Sequence, residues 1–218
     1  MSLLRRWERQ SCRLTVACLI AAGVVAIPAS EAWAQTSDAL ILGVKLQAGG
    51  RWDRVRMCVG SPPGAEGGPA FDISFFVEKG IAEERTFIVD VPVMRPILFG
   101  AAFDMLQLEP AVGFNFRGRL SDDIDWVGGP RLGVTLHYGP DYRSGLSGEE
   151  RLPSFFALGP RFGGYLGLDF LRPDEVFNFQ LGLHPYLSPL IAVDDPEHHS
   201  GTVAGGMLEG VFRFTADP

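Results

Sequence analysis

The sequence predicts an all-β fold, a single closed antiparallel up-and-down β-barrel of about eight strands. Three observations predict it. Apolar side chains recur at every second position in eight separate segments, and a strand points successive side chains to opposite faces. Long and short connections alternate between these segments, as they do in an up-and-down meander. We find no amphipathic helix of useful length.

Ahead of the first strand, the N-terminus predicts an export signal. Four arginines precede an apolar run at 14–27, and Ala32-Trp33-Ala34 supplies an A-x-A cleavage site. The chain is therefore interpreted as a secretory signal peptide at 1–34 followed by a barrel domain at 35–218. An N-terminal membrane anchor is the alternative, but an apolar run of about 14 residues is short for a spanning helix.

Charge and cysteine content exclude some classes of protein. The chain has 19 basic and 26 acidic residues, a formal net charge of −7, which argues against nucleic acid as a partner. Of the three cysteines, Cys12 and Cys18 lie in the predicted signal, so Cys58 is left alone and no intrachain disulfide is expected. An exported fold without disulfides needs another source of stability, such as a large core or a closed sheet.

The eight predicted strands follow one another in chain order. They are 40–50, 71–80, 86–93, 105–118, 126–138, 155–170, 176–188 and 202–214. The third is the weakest, because Pro92 limits its ladder pairing. The segment 92–103 is apolar although it falls in a loop, and three interpretations stay open: it lies at a membrane interface, it folds into the barrel mouth, or it marks wrongly placed strands.

Odd-numbered connections are long and even-numbered ones are short. The long ones are 51–69, 94–103, 139–153 and 191–201; the short ones are 79–85, 119–125 and 171–175. With an even number of strands, all long loops lie at one end and both termini at the other. This is typical of outer-membrane barrels, which have short periplasmic turns and longer outer loops.

Two arrangements of the faces compete. A soluble lipocalin-like barrel turns its apolar face inward around a small ligand, whereas a membrane barrel turns that face outward. Glycine and alanine crowd the polar face, which suits the interior of a narrow barrel. Strand segments of about ten residues suit a tilted membrane crossing. Both observations favour the membrane barrel.

The polar face also carries charges of both signs, and buried charges require partners. They form a candidate lumen charge network of Lys45, Glu109, Arg117, Arg131, Arg161, Asp169, Glu209 and Arg213. Glu109 is the residue that tests the arrangement. In a membrane barrel it should face the lumen beside a basic partner such as Lys45 or Arg131.

In this pattern the chain resembles the small eight-stranded outer-membrane β-barrel proteins of Gram-negative bacteria. The resemblance covers 39–214 and rests on architecture, not on a diagnostic motif. It implies outer-membrane lipid and the barrel-assembly machinery as partners, a monomer, and a porin-like cell-envelope protein. Members usually end on an aromatic residue, whereas here Phe212 and Phe214 are followed by the tail "TADP".

Some members of that group are enzymes that modify lipid A or hydrolyse acyl chains, so catalysis needs a test. His184 and Ser188 share a strand face, but four residues along a strand span about 13 Å, which is too far for direct contact. His137 is a candidate to approach Glu109 or Asp169 from a neighbouring strand, but we interpret it as a lumen histidine satisfied by hydrogen bonds. We predict no catalytic residue, no metal site and no cofactor; His198 and His199 are interpreted as part of a solvated loop.

The most distinctive loop is "HYGPDYRSG" at 137–145. Asp141, Tyr142 and Arg143 are expected at its outer rim, either as contacts for a ligand or partner or as an aromatic-belt residue with turn chemistry. The predicted role is structural or surface-binding, through the outer loops. A soluble periplasmic lipocalin-like binder of a small apolar ligand, and a membrane lipid-modifying acyl hydrolase, are the alternatives.

Overall fold

The computed structural model describes residues 40–55, 66–101, 106–140, 154–170, 177–193 and 200–216. The predicted signal peptide and Cys58 lie outside these residues. The described part contains β1 Leu40–Asp53, β2 Gly67–Ala82, β3 Arg85–Pro92, α1 Met94–Ala101, β4 Leu106–Leu108, β5 Ala111–Arg119, β6 Ile124–Pro140, β7 Ser154–Phe170, β8 Phe177–Ala192 and β9 Gly201–Ala216.

Antiparallel pairing joins eight of these strands into a ring. The order is β6-β5-β3-β2-β1-β9-β8-β7, and β7 pairs back onto β6. The ninth, β4, pairs with β6 in the register of β5, because Leu108 lies opposite Leu136 and Ala111 opposite Gly133. The two segments are thus the fourth predicted strand, divided at 109–110. The all-β, eight-stranded fold is confirmed.

The connections alternate as expected. The long ones, 54–66, 93–105, 141–153 and 193–200, follow strands that run in one direction, and we call their side of the barrel the long-loop end. The short ones, 83–84, 120–123 and 171–176, lie at the opposite, short-turn end. Every neighbouring pair in the ring is antiparallel, which is the topology of an up-and-down meander.

The two faces of the sheet are inverted relative to a soluble protein. Outward side chains are large and apolar: Phe71, Leu132 and Leu183 are 59%, 56% and 60% exposed. Inward side chains include most of the charged ones, beside apolar ones such as Phe76 and Val203, and Asp53 and Glu209 have no exposed surface. Soluble domains bury their apolar residues and expose their charges, so this barrel has its apolar surface on the outside.

The narrow interior explains the glycines of the inner face. A Cβ added at Gly182 would lie 2.6 Å from the Tyr165 ring, and one at Gly43 would lie 2.4 Å from the Phe76 ring. Each large inward side chain therefore occupies space that a glycine on a facing or neighbouring strand leaves empty. Small residues let eight converging walls hold side chains between them.

The segment 92–103, which left three interpretations open, contains the helix α1. Pro92 ends β3 and α1 begins at Met94. Pro96 fits the first helical turn, where no backbone donor is needed. α1 packs against β2 and β4, and its Arg95 is buried among inward side chains. Of the three interpretations, the described part of the segment, 92–101, therefore fits best a helix at the barrel mouth that directs Arg95 inward, while Ile97 is 66% exposed. Within the described residues, no helix is long and apolar enough to cross a membrane.

Most aromatic side chains on the outer face lie near the two ends, whereas Phe75 and Phe162 lie in the band between them. The short-turn end carries Phe87, Phe116, Trp126, Phe170, Phe179, Phe212 and Phe214, and the long-loop end carries Trp52, Tyr138 and Phe156. At the short-turn end the Phe179 ring lies 6.0 Å from that of Phe170 and 5.4 Å from that of Phe212. Aliphatic residues fill most of the band between the two sets.

Candidate functional site

The inward polar side chains form three clusters along the barrel axis. The lower cluster, nearest the short turns, contains Glu78, Thr86, Asn115, Arg117, Asp169, Gln180 and Arg213. The middle cluster contains Lys45, Gln47, Ser74, Asp90, Arg131, His184 and Glu209. The upper cluster, nearest the long loops, contains Arg51, Asp53, Asp72, Arg95, Gln107, Glu109, His137 and Arg161.

Two carboxylates and two arginines form the lower cluster's ion pairs. Glu78 accepts hydrogen bonds from Asn115 at 3.0 Å and Arg117 at 3.1 Å, and Arg213 Nε lies 3.5 Å from it. Asp169 pairs with the same two arginines, with Arg213 Nη1 at 2.9 Å. Because each arginine contacts both carboxylates, the four groups compensate one another, as buried charges must.

Lys45 and Glu209 are the centre of the middle cluster. Lys45 pairs with Asp90, and its Nζ lies 3.7 Å from Glu209. Glu209 also accepts hydrogen bonds from His184 Nδ1 at 2.6 Å and from Gln47 at 2.7 Å. A single buried carboxylate therefore connects β1, β8 and β9.

Arg131 lies in the same layer without contacting Glu109. Its guanidinium donates to the Asn115 side chain and, at 2.8 Å, to the Phe114 carbonyl, and it lies 5.5 Å from the Tyr165 ring centroid. An internal cavity of about 10 Å³ is lined by Arg131, Tyr165 and Lys45 among others. A space of that size holds about one water molecule.

Glu109 lies at the centre of the upper cluster and contacts three arginines. Its carboxylate lies 3.2 Å from Arg51, 3.0 Å from Arg95 and 3.3 Å from Arg161. The side chain is buried and basic partners surround it, as a lumen position requires. The partners differ from those expected, because Lys45 pairs with the middle cluster instead.

Arg95 enters the upper cluster from α1. Its guanidinium donates to Asp72 on β2 at 2.6 Å, to Gln107 on β4 at 3.3 Å and to Glu109 at 3.0 Å. Planar guanidinium groups favour such multidentate contacts with carboxylates. A helix outside the strand ring thus supplies one of the three arginines.

The histidines and hydroxyl groups of the interior make separate contacts. Arg51 approaches His137 Nε2 at 3.0 Å, and since arginine only donates, Nε2 accepts and the ring is neutral. Ser188 shares a 2.8 Å hydrogen bond with Thr135, and His184 bonds to Glu209. A hydroxyl nucleophile needs a base within hydrogen-bond reach, and Ser188 bonds to another hydroxyl group.

The buried charges balance. Among the described residues, the clusters hold seven cations, Lys45, Arg51, Arg95, Arg117, Arg131, Arg161 and Arg213. They also hold seven anions, Asp53, Asp72, Glu78, Asp90, Glu109, Asp169 and Glu209. Equal numbers let most of the ionic groups pair directly, which reduces the large free-energy cost of desolvating them.

The structure places all eight residues of the predicted network inside the barrel, in different clusters. Arg117, Asp169 and Arg213 are in the lower cluster, Lys45, Arg131 and Glu209 in the middle one, and Glu109 and Arg161 in the upper one. Asp141, Tyr142 and Arg143 lie outside the described residues, as do His198 and His199.

Sequence reasoning missed several members of the clusters. Arg51 and Asp53 follow Gly50, where the predicted first strand ends, but β1 continues to Asp53. If the alternation of inward and outward residues is extended past Gly50, it predicts that both side chains point inward. Arg95 belongs to the apolar segment that fitted no strand, where a single arginine among apolar residues was the available signal.

Comparison with known proteins supports the fold. The crystal structure of Neisserial surface protein A (NspA) matches with a TM-score of 0.55 and 10% sequence identity, over 80% of this chain and 96% of that one. No family model matches the sequence. No curated protein matches it either.

Proposed function

We propose that this chain is an outer-membrane β-barrel protein with a largely filled lumen and a structural or surface-binding role through its long loops. The observation that carries the proposal is the inversion of the two faces. Leu132 and Leu183, among many others, extend apolar side chains outward, while ion pairs fill the inside. Water does not stabilise a continuous exposed apolar band, whereas lipid does.

The dimensions of the band support the membrane assignment. On β6, Trp126 and Tyr138 lie in the two aromatic sets, 12 residues apart. At about 3.3 Å per residue and a tilt of about 40°, this separation corresponds to about 30 Å across a bilayer. Aromatic residues favour the boundary between lipid and water. NspA, whose fold is similar, is named as a surface protein.

The interior supports a filled lumen rather than a wide pore. Eight-stranded barrels have interiors that side chains nearly fill. Here Tyr165, Phe76 and the three charged clusters occupy the lumen, and most of these side chains are buried. We therefore propose that the protein acts at its surface rather than as a diffusion channel.

Surface binding is assigned to the long-loop end. The connections there have 8 to 13 residues, whereas the turns at the other end have 2 to 6. Asp141, Tyr142 and Arg143, in the 141–153 connection, remain our proposed contacts for a partner. A monomer inserted by the barrel-assembly machinery is the form we propose.

Two alternatives make different demands on the structure. A lipocalin-like barrel needs an apolar interior around a ligand, whereas here three clusters of charged and polar side chains lie in the described interior and a band of large apolar side chains faces outward. An acyl hydrolase needs a base beside an accessible nucleophile, whereas Ser188 and His137 have no exposed surface. Unchanged lipid A mass spectra on expression would exclude the hydrolase.

Cell fractionation combined with gel mobility tests the proposal directly. A membrane barrel should be recovered in the outer membrane, and the unheated protein should migrate faster than the boiled protein. Recovery in the soluble periplasmic fraction would overturn the membrane assignment.

A charge placed on the outer face gives a second test. Leu132→Arg, near the middle of β6, should cost about 2–4 kcal/mol of stability in vesicles, and Tyr138→Arg on the same face near the long-loop end about 0–1 kcal/mol. In a soluble barrel both substitutions lie on a water-exposed surface and should change stability by about 0.5 kcal/mol or less. Equal small effects would contradict a lipid-facing band.

A further inference from the structure

The strand ring has a local break at the long-loop end. β3 pairs with β5 from Arg85 opposite Phe116 to Asp90 opposite Ala111, and no pair follows in the described residues. The same register would place Pro92 opposite Glu109. On its other side the fourth strand continues, because β4 remains paired with β6 up to Tyr138. β2 likewise continues past its last pair with β3, Ser74 opposite Pro92, and stays paired with β1 up to Gly67. Within the described residues, the break is therefore the gap above the end of β3, between β2 and β4.

Pro92 explains why the pairing stops there. The Val93 N–H donates to Ile73 on β2 at 2.8 Å, so Val93 directs its backbone toward β2. In an antiparallel sheet alternate residues direct their backbone groups to alternate neighbours. Pro92 therefore faces β5, where it has no N–H to donate. The first ladder position beyond Asp90 that should bond across this seam lacks its donor.

At this level of the barrel, the gap in strand pairing has to be covered by another part of the protein. β4 lies opposite residues 136–138 of β6, at the long-loop end beside Tyr138 of the upper aromatic set. The proposed function places this level in the outer leaflet. Backbone groups without a ladder partner need another partner at this level, because a group left unpaired in hydrocarbon costs several kcal/mol. α1 packs against β2 and β4, the strands on either side of the end of β3.

Arg95 connects the two sides of the break. Its guanidinium bonds to Asp72 on β2 and to Gln107 and Glu109 on the fourth strand. The arginine thus links two strands that have no ladder between them at this level. All three acceptors belong to the barrel wall, and only the donor belongs to α1.

We propose that the break between β2 and β4 is a lateral port, an opening in the barrel wall that leads to the upper cluster. α1 closes this port, and the contacts of Arg95 hold α1 in place. The port admits an amphiphile with a cationic head group. When α1 moves away, Asp72, Glu109 and the Gln107 carbonyl remain on the strands. An ammonium or guanidinium group can then replace Arg95 there. Because the port opens sideways, an apolar tail can stay in the lipid. This inference rests on the proposed membrane location.

The labelling rate of a cysteine inside the port tests whether Arg95 keeps the port closed. Ala111 is buried at the lower edge of the break, so Ala111→Cys in a Cys58→Ser background reports access by a lipid-soluble maleimide in phosphatidylcholine vesicles. Arg95→Gln should raise the labelling rate about tenfold, since charge-assisted hydrogen bonds are lost. Arg95→Lys keeps the cation and should raise it less.

The matched control is Arg213→Gln, the same change in the lower cluster, which should leave the labelling rate unchanged. Unchanged labelling in Arg95→Gln, or an equal rise in both variants, would overturn the port. If Arg95→Gln does not insert, Gln107→Leu removes one acceptor and makes the same measurement.

The ligand class is tested on the Arg95→Gln variant. Dodecylguanidinium below its micellar concentration should restore protection of the cysteine, whereas laurate should not. Equal protection by both, or protection by laurate alone, would overturn the cationic class. Heat-modifiable gel mobility of the same vesicle samples shows whether the protein is inserted in the membrane. If it is inserted but the cysteine labelling shows no port, the lateral port is wrong and the proposed membrane-barrel function stands.

Discussion

The lower and upper clusters use the same chemistry in walls of different construction. In the lower cluster, Glu78 and Asp169 share Arg117 and Arg213, and all four residues belong to strands of the unbroken ring. In the upper cluster, Glu109 also binds arginines, but one of its partners is carried by a helix beside an interrupted seam.

Because of this difference, the ion pairs of the lower cluster are permanent, whereas those of Arg95 in the upper cluster depend on the position of α1. Arg213 is paired with both neighbouring strands, and Arg117 is paired with β6 and donates its backbone N–H to the Glu84 carbonyl in the short turn. Both arginines are therefore held in place whatever the long loops do. Arg95 is held only while α1 stays docked, so part of the upper cluster's charge compensation depends on a non-strand element. Ion pairs that are equally buried can therefore differ in how easily they separate, because the backbone that carries them differs.

The largest expected effect is in the lower cluster. Glu78→Ala removes a buried acceptor of several donors and leaves Arg117 and Arg213 to share Asp169. Breaking a buried pair by removing one partner costs about 3–5 kcal/mol. Urea unfolding in vesicles, followed by loss of the fast-migrating form on gels, measures this loss. A cost below about 1 kcal/mol would show that the cluster is solvated.

Glu109→Ala should cost about half as much as Glu78→Ala, although Glu109 contacts three arginines. Arg95 can leave the lumen with α1, so only Arg51 and Arg161 stay behind, and Asp53 still pairs with Arg51. The same unfolding measurement compares the two variants. If Glu109→Ala proves as costly as Glu78→Ala, α1 is as firmly fixed as a strand and the distinction between the clusters is wrong.

Local features of the sequence predicted most of the fold, because strand faces follow from alternation within each segment. The predicted fourth strand shows how far this extends: its inward and outward residues are correct, and only the division at 109–110 was missed. The ion-pair partners of the inward side chains could not be predicted in this way. Glu109 meets Arg51 from β1 and Arg161 from β7, and no short-range pattern records which distant strands share a level.

The helix α1 shows a second limit of sequence reasoning. It is eight residues long, and it begins without a polar capping residue, since Val93 precedes Met94. Short helices depend on tertiary packing more than on propensity. Here docking against β2 and β4, together with the ion pairs of Arg95, stabilises a segment whose own pattern indicates neither helix nor strand.

Backbone hydrogen exchange can resolve the broken seam. β4 is paired on one side only among the described residues, whereas the backbone of Gly113 in β5 lies between β3 and β6. Amides of β4 should exchange about tenfold faster than those of β5, which corresponds to about 1.4 kcal/mol less protection. Equal protection along the fourth strand would mean that α1 covers the seam as completely as a strand does.

The smallest expected effect lies on the outer face. Phe179 is partly buried between the rings of Phe170 and Phe212 at the short-turn end, whereas Phe71 toward the long-loop end is 59% exposed. Aromatic pairs contribute about 0.5–1.5 kcal/mol beyond their burial. Phe179→Leu should therefore lower stability by about 1 kcal/mol in vesicles, and Phe71→Leu by less. An equal loss of stability in both variants would indicate that lipid contact, rather than ring packing, sets the stability of the outer face. The two ends of the barrel would then differ only in their interiors.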